Sequence, residues 1–212
     1  MKKNIKLFST LLCCLAVMAL SSCLGDSDSA ADAEKEWKEW YEGFRAEVAA
    51  SMGNYAGYVY FQPDVKTATL DSVAVQWDII SDSVIVLRDV PTRLFAQKLP
   101  ENQSSIKEAI NAVKTMDMRL KIVFDAYYKS PLLFYVFPEP VTMNITVDGQ
   151  PKTAVVNFMN YNTADQSFGQ VLVSNGQCLI KVYPDNIVVD NSPIKAFNST
   201  DYAFLYWLGK KR

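Results

Sequence analysis

The apolar positions of this chain follow two different periods, and the switch between them divides it. From Asp32 onward, Trp37, Trp40, Tyr41, Phe44 and Val48 stand at i, i+3, i+4, i+7 and i+11, one stripe of a 3.6-residue repeat. Glu34, Lys35, Glu36, Lys38, Glu39 and Glu42 take the other face. The spacing predicts an amphipathic helix over residues 32–51, with Gly53 as its stop. Its aromatic stripe is expected to pack on the domain that follows.

After Gly53 the period drops towards two. Residues 55–62 are aromatic and β-branched up to Pro63, and residues 67–80 alternate, with Leu70, Val73, Val75, Trp77 and Ile79 apolar. Ser81-Asp82 is a turn signal, residues 84–87 resume the strand pattern, and Pro91 closes a first β region over 54–90. A helix is predicted over 104–115: Ser105 and Glu108 have capping-box spacing, and Ile106, Ala109, Ile110 and Val113 share a face. Strand composition returns over 118–208, interrupted by Ser130-Pro131.

Two tight hairpins are expected there. Asp148-Gly149 separates residues 141–147 from 153–158, and Asn175-Gly176 separates 169–173 from 178–183. Both dipeptides suit a type I′ turn, whose two central residues need positive φ. The second turn would set Val173 opposite Cys178 and Leu172 opposite Leu179, with Cys178, Ile180 and Val182 on one buried face. Residues 187–189 and 202–208 are further strand candidates. Many short strands and few helices predict a mainly β fold, an antiparallel sandwich or barrel with an N-terminal amphipathic helix and one inserted helix. An α+β layout is the alternative.

The N-terminus has a different character. Lys2, Lys3 and Lys6 precede an uncharged apolar run over residues 7–20, the layout of a secretory signal. A spanning helix needs about 20 such residues, and this run is shorter. It ends in Leu20-Ser21-Ser22-Cys23, which resembles the lipobox of bacterial lipoproteins. The resemblance implies a signal peptide over 1–22, a diacylglycerol on the Cys23 thiol and acylation of the new amine. Two acyl chains suffice for stable anchoring. Residues 23–31 read as a flexible acidic and serine-rich tether, and 32–212 as a single β-rich domain. Residue 24 is Leu and not Asp, and Asp26 and Asp28 follow closely. That pattern is similar to the surface-export signal of Bacteroidetes lipoproteins and implies an outer-membrane location, facing the cell surface or alternatively the periplasm. Asp28-Ser29-Ala30 likewise resembles the O-glycosylation sites of that group, with Ser29 as acceptor; Ser72 and Ser83 stand in the same pattern.

Composition then narrows the chemistry. Half of the residues are hydrophobic, enough for a substantial core. The chain has 21 basic and 23 acidic residues. Removing the signal takes three lysines and no acid, which leaves a net charge of about −5 and argues against nucleic acid as a partner. There is no histidine, so Ser-His-Asp and Cys-His catalysis and the usual zinc sites are excluded. With Cys13 and Cys14 in the signal and Cys23 lipidated, Cys178 is left alone and is expected to be buried and inert. Ser104 and Lys107 match a Ser-x-x-Lys spacing without the companion motifs of that enzyme family. Asp78, Asp89, Asp125 and Glu139 are candidate acids, but no spacing selects a pair for glycoside hydrolysis. The expectation is a protein that is not an enzyme and needs no metal or cofactor.

Tyr55, Tyr58, Tyr60, Trp77, Tyr127, Tyr128, Tyr161 and Trp207 are candidates for stacking on sugars or lining an apolar cavity. In the adjacent pairs Tyr60-Phe61, Tyr127-Tyr128 and Tyr206-Trp207, one partner should face outward. The lipidated N-terminus, the length and the opener Gly53-Asn54-Tyr55-Ala56-Gly57-Tyr58 together resemble an uncharacterised lipoprotein family of gut Bacteroidetes, domain of unknown function 4840. The Gly-x-Tyr-x-Gly opener also recurs in calycin-like lipoproteins, which leaves sandwich and barrel both open. The family carries no assigned activity, so the resemblance implies location alone. The expected role is a non-catalytic binding module for a glycan, a small apolar ligand or a protein. The alternatives are an accessory docked on an outer-membrane protein and a carboxylate-dependent hydrolase.

Overall fold

The computed structural model describes residues 27–62, 70–97, 99–159, 167–197 and 205–212. The chain divides into two compact units, Met1–Arg45 and Ala46–Arg212. Helix α1 (Ser27–Ser51) supplies the described part of the first and ends in the second. Its aromatic stripe forms as a ladder of stacked rings: Trp37 on Trp40 at 5.5 Å, Trp40 on Phe44 at 5.7 Å and Tyr41 on Phe44 at 6.2 Å. Trp37 and Tyr41 are exposed. The helix also begins earlier than its apolar period does. Residues 27–31, expected as tether, are already helical, because Ser, Asp and Ala at a helix start cost little.

The second unit holds β1 (Gly53–Phe61), β2 (Asp71–Ser81), β3 (Val84–Pro91), the short helix α2 (Arg93–Ala96), α3 (Ser104–Ala112), β4 (Thr115–Lys129), β5 (Leu132–Pro138), β6 (Val141–Val147), β7 (Gln150–Phe158), β8 (Phe168–Leu172), β9 (Gln177–Val182), β10 (Pro184–Val189), β11 (Ser192–Ala196) and β12 (Leu205–Lys211). Eight strands close a barrel in the order β1-β12-β9-β8-β5-β4-β3-β2, each antiparallel to its neighbours. Barrel, not sandwich and not α+β, is therefore the architecture.

Alternation puts one face of every strand inside. Tyr55, Val59, Trp77, Ile79, Ile85, Leu87, Leu120, Phe134, Ile180 and Trp207 are almost wholly buried. Each such side chain stabilises the fold by about 1.5–3 kcal/mol. Two indoles need room, and glycine provides it. Gly57 and Gly209 face each other across the β1–β12 seam. A Cβ at Gly209 would lie 2.2 Å from the Ala56 carbonyl oxygen and 2.6 Å from the Trp77 ring. The indole N–H groups of Trp77 and Trp207 find no acceptor in hydrogen-bond geometry.

The other four strands form a second antiparallel sheet, β11-β10-β7-β6. Strands β3, β5 and β9 run the same way, since they are second neighbours in an antiparallel barrel, and so they all end at one mouth. The helices α2 and α3, the β6–β7 hairpin and the β10–β11 hairpin are the excursions that leave there. The sheet buries Val141, Met143, Ile145, Val156 and Ile187 on one face, with α3 against β6 and Phe95 of α2 edge-on to Phe158 at 5.9 Å. Buried Thr92 ties the insertion down, donating from Oγ1 to the carbonyls of Ile110 and Lys114.

Several local expectations hold and several do not. Asp148 and Gly149 both take positive φ, and Val147 pairs with Gln150 as a two-residue turn requires. At Asn175-Gly176 only Gly176 is left-handed. A 3-10 turn over Val173–Asn175 lengthens the loop, and the register becomes Val171 opposite Cys178 and Gln170 opposite Leu179. Cys178, Ile180 and Val182 still share the buried face. The inserted helix starts at Ser104 with Gln103 as its cap residue and no side-chain cap bond, so Ser105 and Glu108 are not a capping box. Helix α2 and strand β11 were not expected. Strand β11 follows a tight turn at Asp190-Asn191, both at positive φ.

Candidate functional site

Beside β1, β2 and β3, the outer face of the barrel carries a groove of about 420 Å³, within the roughly 300–1,000 Å³ of ligand sites. Its floor is made of residues with little or no side chain, Ala56, Gly57 and Ala74. Tyr58, Gln76, Arg88, Asp89 and Arg212 stand around it. Tyr58 is 50% exposed and inclines towards Tyr60, 6.3 Å between centroids.

The family-like opener builds one side of this groove residue by residue. Tyr55 points inward and donates from its hydroxyl to the Ser51 carbonyl at 2.6 Å, which joins the end of α1 to the barrel core. Asn54 donates to Asp78 on the neighbouring strand. Ala56 and Gly57 give floor, and Tyr58 gives a wall.

The opposite side depends on a bulge. In a regular strand Arg88 and Asp89 would point to opposite faces. Strand β3 slips register between Leu87 and Val90, and Asp89 takes φ +48°. One extra residue is accommodated, and both Arg88 and Asp89 then line the groove. A non-glycine residue in this region is strained, and such strain clusters at functional sites. Asp117 holds it: its Oδ1 accepts the Asp89 N–H at 3.1 Å.

Arg88 is fixed from both neighbouring strands. Its Nε donates to Asp78 Oδ2 at 2.8 Å and its Nη1 to Asp117 Oδ2 at 2.7 Å. These two bonds hold the guanidinium pKa above its ordinary value. Burial pushes the Asp117 carboxyl up, but the Asp89 N–H and the Arg88 guanidinium outweigh it and hold Asp117 below the usual carboxylate range. Side chains pinned before a ligand arrives lose less freedom on binding.

A second recess, of about 180 Å³, lies outside β8, β9 and β12 between Pro131, Leu172, Leu179 and Leu208. It falls below the usual ligand range.

The residues singled out in the sequence scatter. Cys23 and Tyr161 lie outside the described residues. Ser29 is in α1. Tyr55, Trp77 and Trp207 belong to the barrel core, and Tyr58 to the groove. Tyr127 and Tyr128 are both exposed, because β4 loses register between Phe124 and Lys129 and alternation ends there. Tyr60-Phe61 and Tyr206-Trp207 do split, with Phe61 and Trp207 inside. Asp78 and Asp89 meet at Arg88 and the groove. Asp125 accepts from the Tyr135 hydroxyl at 2.7 Å, and Glu139 pairs with Lys121 at 3.5 Å and Arg119 at 3.8 Å, so neither joins another candidate acid. Ser104 and Lys107 lie on the surface of α3. Burial pushes the Cys178 thiol up to about 12 and so keeps it protonated. Sequence reasoning missed Gln76, Arg88, Asp117 and Arg212. An alternating strand with Asp78 on its outer face and an arginine on the next strand was the available signal for Arg88.

Among the described residues no helix is long and apolar enough to cross a membrane, and no cluster of three acid or thiol ligands could hold a metal ion. No curated protein and no solved structure matches the chain. One family model does match, over residues 50–189, which takes in the opener, the β3 bulge and every groove residue except Arg212. The chain belongs to the family described as Domain of unknown function (DUF4840).

Proposed function

We propose that this protein is a lipid-anchored, non-catalytic binding module of the bacterial outer membrane, displayed at the cell surface, and that it holds a glycan in the groove beside β1, β2 and β3. The observation that carries this reading is the combination in one groove of an exposed aromatic face, Tyr58, with the planar hydrogen-bonding groups of Gln76, Asp89 and Arg88, the last held in place by two carboxylates. Sugars offer an apolar ring face for stacking and hydroxyls for bidentate partners. The sequence contains no histidine, the commonest general acid–base residue, and this supports a non-catalytic role. The lipobox ending at Cys23 supports the anchor, and the acids at 26 and 28 support surface display.

Two measurements test it. Binding to a saccharide array should weaken about tenfold in Tyr58→Ala, the effect of losing roughly 1.4 kcal/mol of stacking, with circular dichroism unchanged. Mass spectrometry of the protein from membranes should find acyl chains on Cys23, absent in Cys23→Ala. An unmodified Cys23 would defeat the anchor, and binding indifferent to Tyr58 would defeat the groove.

A second reading, an accessory docked on an outer-membrane protein, draws on Tyr127, 86% exposed, beside exposed Tyr128 at the end of β4. It expects cross-links to a partner through those two side chains.

A further inference from the structure

Resting on the groove as a glycan site, we infer that its saccharide is neutral, and that Asp78 and Asp117 set this selectivity by compensating Arg88. An arginine in a binding groove ordinarily invites a carboxylate, because its fork matches two anionic oxygens. Arg88 is already taken by two carboxylates, at 2.8 Å and 2.7 Å, from strands on either side. The charged side chains in and behind the groove are Arg88, Arg212, Asp78, Asp89 and Asp117, an excess of one acid. An acidic sugar would enter against that excess.

The hydrogen-bonding pattern points the same way. A guanidinium has five N–H donors, and two of those on Arg88 are used. The bulge puts Asp89, an acceptor, next to these donors on the same face. A hydroxyl both donates and accepts, so a pair of neighbouring sugar hydroxyls satisfies both residues at once. A sugar carboxylate only accepts; it would use Arg88 and leave Asp89 facing a like charge.

The test uses the full chain, purified in detergent, on an array of neutral and uronate-bearing saccharides, with cellohexaose, xylohexaose, mannohexaose and hexagalacturonate as solution probes for calorimetry. The expected result is binding of neutral saccharides, lost in Tyr58→Ala, with hexagalacturonate at least tenfold weaker. Freeing Arg88 in the double variant Asp78→Asn/Asp117→Asn should strengthen hexagalacturonate at least tenfold, more so at low salt, where charge is less screened. Asp89→Asn, which touches no ion pair, should narrow the same gap if the double variant does not fold. Preferential binding of uronates by the unaltered protein, abolished by Tyr58→Ala, would overturn the selectivity and leave the groove standing. A neutral preference unmoved by any of these aspartate variants would also overturn it. No saccharide bound, or binding unaffected by Tyr58→Ala, would remove the groove reading and the inference with it.

Discussion

The β6–β7 hairpin and the β1–β4 half of the barrel are both antiparallel, yet they obey sequence rules to different degrees. From Val141 to Val147, β6 alternates buried and exposed positions without a break, and its pairing with β7 never slips. A two-residue turn at Asp148-Gly149 closes it. That half of the barrel slips register between Ile79 and Ser81 and again between Leu87 and Val90, and its β1 brings Gly57 against Gly209 of β12 at the seam. A hairpin covered by helices on one face needs only local chemistry. A closed barrel around two tryptophans must bend its strands, and bulges and glycines are how strands bend. The groove lies at one of these irregularities, because the bulge in β3 also places Arg88 and Asp89 together.

This contrast can be broken most forcefully at the barrel axis. Trp207→Ala should cost about 3–5 kcal/mol, read as a lower urea midpoint with loss of near-ultraviolet circular dichroism. A cost below about 1 kcal/mol would mean the core does not depend on that indole. The two glycines come next. Gly209→Ala should cost about 1–3 kcal/mol or more, since its Cβ meets backbone and the Trp77 ring. Gly149→Ala meets no atom within 4 Å and carries only the strain of φ +76°, about 1 kcal/mol. Equal melting shifts in the two variants would erase the distinction between seam and turn.

Acid titration compares the regions more gently. Asp117 in the barrel and Asp190 beside the β7–β10 pair are both held below 3.8, the ordinary value, Asp190 mainly by the Thr153 N–H. A carboxyl depressed in the folded state favours folding above the unfolded pKa, and that contribution is lost as pH falls through the folded one. Both groups are solvent-exposed, so each effect is small. Asp117→Asn and Asp190→Asn should each flatten the fall in melting temperature between about pH 4 and pH 2, relative to the unaltered protein, while a steeper fall would contradict the assignment. The smallest effect expected is none: Cys178, buried with its thiol pushed up to about 12, should resist iodoacetamide at pH 8 until the protein is unfolded in urea. Rapid alkylation of the folded chain would show that the barrel opens.

What was legible divides along the same line. The helix of the aromatic stripe, the turn at Asp148-Gly149 and the common face of Cys178, Ile180 and Val182 follow from spacing alone, because they are settled by neighbours a few residues away. The Asn175-Gly176 register failed although its turn residues were right, since a four-residue loop also places Gly176 at positive φ. The β10–β11 hairpin was missed because Asp190-Asn191 lacks glycine, yet both residues adopt the left-handed conformation. Candidate acids at Asp78 and Asp89 were visible, and their partners were not.

By itself the sequence determined a mainly β domain with a helix before it and the absence of histidine chemistry. Periodicity and composition are local or additive properties, and they survive without knowledge of neighbours in space. Only the tertiary structure decided that eight strands close into a barrel, that two distant hairpins pair into a second sheet, and that Tyr58, Arg88 and Arg212 meet around one groove. Those outcomes rest on β12 returning to β1 across about 150 residues, a pairing set by how large side chains fill a closed space and not by any spacing along the chain.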